Sequence, residues 1–308
     1  MKIPRVVRIE PSAKCNLSCR HCPTGTIEMT RGIMSNEVFE RCLDFIKYDE
    51  VKVIVLYHGG EPLLNKDFYL MVDRIKKIRK DVLIKTVSNG VALTKTNTNK
   101  LISSGIDEIE FSLDGLSFVE NDYIRVGGGG EKVVSNINYL LDEKWIQHSK
   151  KPKVYISTTQ FVRGIDHAKK IVSSDCDTPK VPKYLTKTFP QSANKIEGFK
   201  TGYALHWPHM GEIKENFSIY IDDRGEVHNE CDHLDNTVTI RWNGDVVPCC
   251  YDLTSKLVMG NVLKENLVDI LNGDKYSILM ESIKNKKFIS ICKECAVVTP
   301  KRYLIPKW

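Results

Sequence analysis

Along the first two-thirds of the chain, short runs rich in Val, Ile and Leu alternate with longer stretches whose apolar residues fall three and four positions apart. The short runs, residues 6–10, 51–57, 82–88, 106–112, 154–159 and 180–189, predict strands. The first four are short and rich in Val, Ile and Leu, as strands covered on both faces are. Between them the period becomes that of a helix. Ser35 is an N-cap for a stretch that brings Val38, Phe39, Cys42, Leu43, Phe45 and Ile46 onto one face. Asn65 or Asp67 opens a second stretch through Phe68, Met71, Val72, Ile75 and Ile78, Thr94 opens a third that ends near Gly105, and a fourth covers about residues 131–143. Strand and helix in alternation build a parallel sheet with right-handed crossovers. The class is therefore α/β, and six such units make a partial (β/α)6 barrel rather than the full eight.

The rhythm then changes. Residues 195–215 read as an irregular loop, broken by Gly198, Gly202, Pro208 and Gly211. Two alternating runs, 237–242 and 245–247, flank Asn243-Gly244, the strongest short hairpin signal, and two short helices follow near 264–271 and 274–286. The chain thus divides into a barrel, residues 1–205, and a small α+β domain, residues 206–308. No apolar run approaches the roughly 20 residues of a membrane helix, and the N-terminus has no apolar signal core, so no membrane partner and a cytoplasmic location are expected. The net charge of +6 is scattered over helical patterns such as 76–80 and 284–287. These read as solvated faces, and nucleic acid is not an expected partner. Ten cysteines in such a chain point to metal or catalysis rather than to disulfides.

Three of them, Cys15, Cys19 and Cys22, stand within eight residues directly after the first strand, spaced C-x3-C-x2-C. Structural zinc closes its tetrahedron with four protein ligands, and electron-transfer cubanes also use four cysteines. Three thiolates leave one iron of a [4Fe–4S] cluster open to a further ligand. After the second strand comes His58-Gly59-Gly60-Glu61-Pro62, where two glycines admit a ligand to the backbone and Glu61 offers acceptors to an ammonium group. Ser88-Asn89-Gly90 follows the third strand and Ser112-Leu113-Asp114-Gly115 the fourth; both are ordinary turn sequences as well as polar groups at the end of a barrel where sites form. Residues 127–130, four glycines beside Arg125, match neither nucleotide fingerprint and read as a flexible helix entrance.

With these motifs the chain resembles the radical S-adenosylmethionine (SAM) enzymes over almost its whole length. The resemblance implies that Cys15, Cys19 and Cys22 hold a [4Fe–4S] cluster whose open iron binds SAM, and that SAM cleavage yields a 5′-deoxyadenosyl radical. It assigns Gly59, Gly60 and Glu61 to the methionine amino group, Ser88, Asn89, Ser112 and Asp114 to the ribose and carboxylate, and His21 to the adenine. Thr158 and Arg163, with Gln160, are weaker carboxylate candidates. The later cysteines resemble the SPASM/twitch extension: Cys231, Cys249, Cys292 and Cys295 would hold one auxiliary [4Fe–4S] cluster, although zinc on the same four thiols satisfies the same spacing. Cys250 is left over. As a strand neighbour of Cys249 it faces the other way, either as a hydrogen-atom donor to a substrate radical or as a small core residue. Cys42 reads as core and Cys176 as a loop residue.

The single-cluster pattern resembles aminocyclitol dehydrogenase and neomycin epimerase-like members. The expected substrate is a small polar sugar or aminocyclitol, epimerised or dehydrogenated, with a flavodoxin- or ferredoxin-type electron donor. Modification of a ribosomally made peptide is the alternative, and a non-catalytic zinc or redox carrier a distant one. The stretch 203–210, with Tyr203, His206, Trp207 and His209, reads equally as the wall of a substrate pocket and as a packed linker.

Overall fold

A computed structural model describes residues 3–173, 178–190, 196–208, 210, 215–222 and 224–308. Cys176, His209 and Gly211 lie outside the described residues. Six strands, β1 (Val6–Ile9), β2 (Val53–Val55), β3 (Leu83–Ser88), β4 (Glu108–Ser112), β5 (Lys153–Gln160) and β6 (Gly198–Tyr203), run parallel and adjacent in chain order. They are the partial barrel, with helices such as Asn36–Ile46, Phe68–Ile78, Lys95–Ser103 and Gly130–Ile146 between them. Val7, Ile9, Ile54, Ile84, Ile109, Phe111, Val154 and Ile156 are fully buried on the helix-covered side. Burying each such side chain stabilises the fold by roughly 1.5–3 kcal/mol. The caps read from sequence form: the Val38 N–H donates to Ser35 Oγ (3.3 Å) and the Asn97 N–H to Thr94 Oγ1 (3.2 Å).

The sixth strand is not where the apolar run placed it. Residues Lys183–Thr188 form a helix, in which Leu185 and Phe189, four apart, are both buried. The strand is instead Gly198–Tyr203, in the segment expected to be loop, paired from Tyr155↔Gly198 to Gln160↔Tyr203. As the last strand of the sheet it carries glycines that nothing crowds, so its sequence lacks the apolar signature of a central strand.

The sheet continues past the other edge of the barrel. After β7 (Phe217–Ile221), which pairs with the C-terminal strand, come β8 (Thr237–Ile240), β9 (Asp245–Val247) and β10 (Gly260–Asn261). β8 lies parallel to β1, with Arg8 opposite Thr239, and the hairpin turn at Gly244 has the positive φ of +86° that favours glycine. The result is one nine-stranded sheet in the order β10-β9-β8-β1-β2-β3-β4-β5-β6, and β11 (Arg302–Pro306) closes a separate two-stranded ribbon with β7. The hairpin carrying the later cysteines is thus hydrogen-bonded to the strand that leads into the first three. Among the described residues no helix is long and apolar enough to cross a membrane.

Candidate active site

The loop after β1 is held from three sides. The Glu61 N–H donates to Lys14 O (2.9 Å), and a Cβ on Gly60 would stand 2.4 Å from Ser12 O and 2.5 Å from Lys14 O, so only glycine lets the β2 loop lie against it. From the other side the Ser18 and Arg20 N–H groups donate to Val126 O and Ile124 O, both at 3.0 Å. From the third, Asn89 Nδ2 reaches Asn16 Oδ1 (2.8 Å) and Cys15 Sγ (3.8 Å). Cys19 is 8% exposed, and burial pushes its thiol up to about 12; burial raises Cys15 as well. Cys15 feels the charge of Cys22, and Cys19 those of Cys22 and Cys15, so the three lie close together.

Glu61 reaches this site as a strut. Its carboxylate accepts from Ser88 Oγ (2.8 Å), the Asn89 N–H (2.8 Å) and the Leu63 N–H (3.1 Å), fastening the tip of β2 to that of β3. Burial, against those three bonds, raises its pKa. The sequence reading gave Glu61, Ser88 and Asn89 to a ligand; the structure brings them together by bonding them to one another. Asp114 is likewise engaged. Its Oδ2 accepts from Arg125 Nη1 (2.8 Å) and its Oδ1 from the Thr159 N–H (2.8 Å). Burial pushes Asp114 upward, but Arg125 and His21 outweigh it and hold the carboxyl low. His21 Nε2 stands 3.8 Å from Asp114 and its ring meets Phe161 edge-on, while burial lowers the imidazole's pKa. Ser112 faces the barrel interior beside Ser157 Oγ (3.3 Å).

Two weaker candidates stand elsewhere. Thr158 is 2% exposed and takes the same side of β5 as Val154 and Ile156, because side chains alternate along a strand; its hydroxyl accepts from Gln160 Nε2 (2.6 Å). Arg163 is paired with Glu120 and a third exposed. Neither joins the group around Cys15, Cys19 and Cys22.

Three residues that the sequence reading left without a role are central. Arg125, before the four glycines, is a buried guanidinium whose pKa is raised: burial opposes its charge, but Asp114 and the Cys19 and Cys22 thiolates favour it. Glu10, at the end of β1, is 0% exposed. It accepts from the Gly59 N–H (2.9 Å), Arg241 Nε (3.1 Å) and the Trp242 N–H (3.2 Å), tying β1, the β2 loop and the C-terminal hairpin together. His58 lies between, its Nδ1 3.4 Å from Glu10 Oε1 and its Nε2 3.2 Å from Cys250 O. The signal for Glu10 and Arg125 was a charged side chain bracketed by an apolar strand or glycines; their partners are too distant in sequence to be read.

The later thiols gather at the end of β9. Cys249 is 8% and Cys295 6% exposed, and Cys231 and Cys292 join an apolar shell of Ile283, Val298, Leu234, Tyr251 and Phe288. Burial pushes Cys292 up to about 12 and Cys295 to about 11, and raises Cys231 and Cys249. Thiols so placed ionise only with a cation among them, which is what a coordinating metal supplies. Among the described residues no three His, Cys, Asp or Glu side chains close on the position of a single metal ion. Cys249 feels the charges of Cys295 and Cys292, and Cys292 those of Cys295 and Cys231, so the four thiols form one linked donor set. Cys250 adjoins this group and bears on Cys231, Cys249 and Cys295, but its Sγ also stands 3.6 Å from His233 Nδ1. Burial raises that thiol, but His233 and Arg8 outweigh it and hold it below its ordinary range. Trp207 packs on Tyr251 at 5.0 Å, next to Cys250.

Three thiols on a loop at the strand ends of a partial barrel, and four more beside a hairpin joined to the same sheet, are donor sets that suit iron–sulfur clusters. Residues 9–151 match the radical SAM superfamily and residues 231–296 the SPASM iron–sulfur cluster-binding domain, which together take in well over half of the chain. The chain belongs to the radical SAM superfamily and carries a SPASM domain, and its cofactors are SAM and [4Fe–4S] clusters, an auxiliary one included. It is 26% identical, over 94% of this chain and 86% of the relative, to the tungsten-containing aldehyde ferredoxin oxidoreductase cofactor-modifying protein of Pyrococcus furiosus. Further curated relatives match over less than half of this chain and less than half of their own length. Among solved structures, BtrN in complex with AdoMet and 2-DOIA superposes with a TM-score of 0.57 at 16% identity, covering 96% of this chain and 93% of BtrN. The enzyme anSMEcpe with AdoMet and the Cp18Cys peptide gives 0.61 at 16%, covering 94% and 85%. At such identities these two likenesses establish the fold.

Proposed function

We propose that this radical SAM enzyme removes a hydrogen atom from a carbon of a small polar substrate of the sugar or aminocyclitol type, and that Cys250 returns one from the other face, so that the centre is epimerised. When bound, the cluster and SAM supply the 5′-deoxyadenosyl radical that takes the first hydrogen. Cys15, Cys19 and Cys22 would hold that cluster, with Asn89 hydrogen-bonded to Cys15 and Arg125 offsetting the charge of the thiolates. His21, Gly59, Gly60 and Ser112 line the rim where SAM would lie. Cys231, Cys249, Cys292 and Cys295 would hold the auxiliary cluster.

The observation that carries the epimerase reading is the position of Cys250. It adjoins the auxiliary thiols, yet its Sγ meets His233 Nδ1 at 3.6 Å and its charge bears on Arg8, a residue of the barrel interior. A thiol there can give its hydrogen to a substrate radical; one electron and one proton then restore it. Dehydrogenation is the same first step with the substrate radical losing an electron and a proton instead. The relative from Pyrococcus furiosus favours a second reading, in which the substrate is an enzyme cofactor.

The test is Cys250→Ala, with a candidate substrate turned over in deuterated water. The wild type is expected to return product of unchanged connectivity with one deuteron gained. The variant is expected to keep both clusters and to release 5′-deoxyadenosine while losing the inverted product by at least about 100-fold, the scale of a lost proton- or hydrogen-transfer group. Inverted product at the wild-type rate removes Cys250 from the chemistry, and product two mass units lighter than substrate establishes dehydrogenation.

A further inference from the structure

The barrel interior holds a guanidinium with no carboxylate partner among the described residues. One rung of the sheet, fixed by register, runs Thr239, Arg8, Val55, Lys85, Glu108 across β8, β1, β2, β3 and β4, and residues on one rung share a face. Arg8 lines a cavity of about 110 Å³ inside the barrel. Its other charged lining groups are matched in pairs: Lys85 Nζ lies 2.9 Å from Glu108, and Lys200 is bonded to Glu110. Arg8 has no carboxylate partner among them; the Tyr57 side chain and the Cys250 thiol are what favour its charge. It is 9% exposed, meets the Tyr57 ring at 4.7 Å, donates from Nη1 to Tyr57 O at 3.4 Å, and its Nε is buried with no hydrogen-bond partner. Thr239, its neighbour across β1 and β8, is 0% exposed, and its Oγ1 is buried without a partner too. Two adjacent unsatisfied donors are costly in a folded core, and such groups call for an explanation. A cavity of this volume holds a group well beyond one water.

We infer that Arg8, with Thr239 beside it at the β1–β8 seam, anchors an anion subsite in this cavity that takes a carboxylate or phosphate group of the substrate and so fixes which carbon faces the radical. The inference deepens the substrate reading above and rests on it. Arg8 supplies a guanidinium N–H and the charge, and Thr239 a hydroxyl that rotates to donate. The Lys–Glu pairs leave the rest of the lining neutral, so the Arg8 Nε–H is the lining donor left for an acceptor group of the substrate.

The experiment uses the reconstituted holoenzyme with SAM, titrated anaerobically with inorganic phosphate and, separately, with acetate. Saturable binding of at least one probe is expected, weakened at least about tenfold by Arg8→Gln and several-fold by Thr239→Val, and restored to within about threefold of wild type by Arg8→Lys. Preference for phosphate identifies a phosphorylated substrate, and preference for acetate a carboxylate. Iron content and cluster spectra verify that each variant is folded. Equal binding by wild type and Arg8→Gln, or no saturable binding by the wild type, overturns the proposal. So does a shift in the auxiliary cluster's midpoint potential in Arg8→Gln with binding unchanged, which makes Arg8 a counter-charge to that cluster. Failure of the wild type to release 5′-deoxyadenosine is the distinct result that would sink the enzymatic reading instead.

Discussion

Replacing Cys19 with Ala is expected to leave a folded protein with about four irons per chain in place of about eight, and to abolish 5′-deoxyadenosine formation from SAM and dithionite. Cys19 is the middle thiol of the loop after β1 and, at 8% exposure, is buried. Its backbone is pressed by Gly25, where a Cβ would come within 2.5 Å of Cys19 O, so the loop cannot shift to offer another ligand. Two thiolates do not hold a cubane that needs three, and among the described residues no other cysteine is brought to that loop. The fold should survive, because Ala fills most of the space of a small apolar side chain and large losses come from a short list of causes that this exchange avoids. Cys42→Ala is the control. Cys42 is fully buried in the helix Asn36–Ile46, its thiol donating to Val38 O at 3.3 Å, and its loss should change neither iron content nor product. Wild-type levels of 5′-deoxyadenosine from Cys19→Ala would remove the loop from the chemistry.

Strands that lie in the middle of the sheet were legible because their Val, Ile and Phe recur on the helix-covered face, with burial alternating along β3 and β4 and Lys85, Glu108 and Glu110 on the other face. β6 was not, because an edge strand owes its conformation to β5 and not to its own residues, and the buried pair Leu185 and Phe189 imitated a strand while following the period of a helix. In the site, short-range patterns were legible: thiol spacing, the paired glycines, the hairpin at Gly244. The roles of charged residues were not. Glu61 and Asp114 read as free acceptors because sequence shows a carboxylate but not its partners, here Ser88 and Asn89 for one and Arg125 for the other. The same blindness hid Arg8, whose distinction is to lack the carboxylate that Lys85 and Lys200 each have.

The Glu10→Gln exchange is expected to destabilise the protein by about 3–5 kcal/mol at pH 7, the cost of stripping a buried cation of its partner. Glu10 is completely buried and faces only donors: Gly59 N–H on one oxygen, Arg241 Nε and Trp242 N–H on the other. An amide of equal volume must turn an NH2 group toward one of them, and Arg241, itself 4% exposed, loses its counter-charge. The dependence on pH follows from the carboxyl. Burial pushes it up, but His58, Arg241 and the Gly59 N–H overcome that and hold it at about 2, against 4.5 when free. A group depressed in the folded state contributes stability above its unfolded value and loses it as pH falls through its folded one. The wild type should therefore give up about 3 kcal/mol between pH 4.5 and 2 through this one group, and the variant should not. Denaturant unfolding of both proteins checks this: their gap should be widest near pH 7 and narrow below about 4.5. Because Glu10 joins β1, the β2 loop and β8, the variant should also release the hairpin bearing Cys249 from the loop bearing Cys15, seen as faster amide exchange at Gly59 and Trp242. Equal stability of the two proteins at pH 7 would show that Arg241 finds its balance elsewhere.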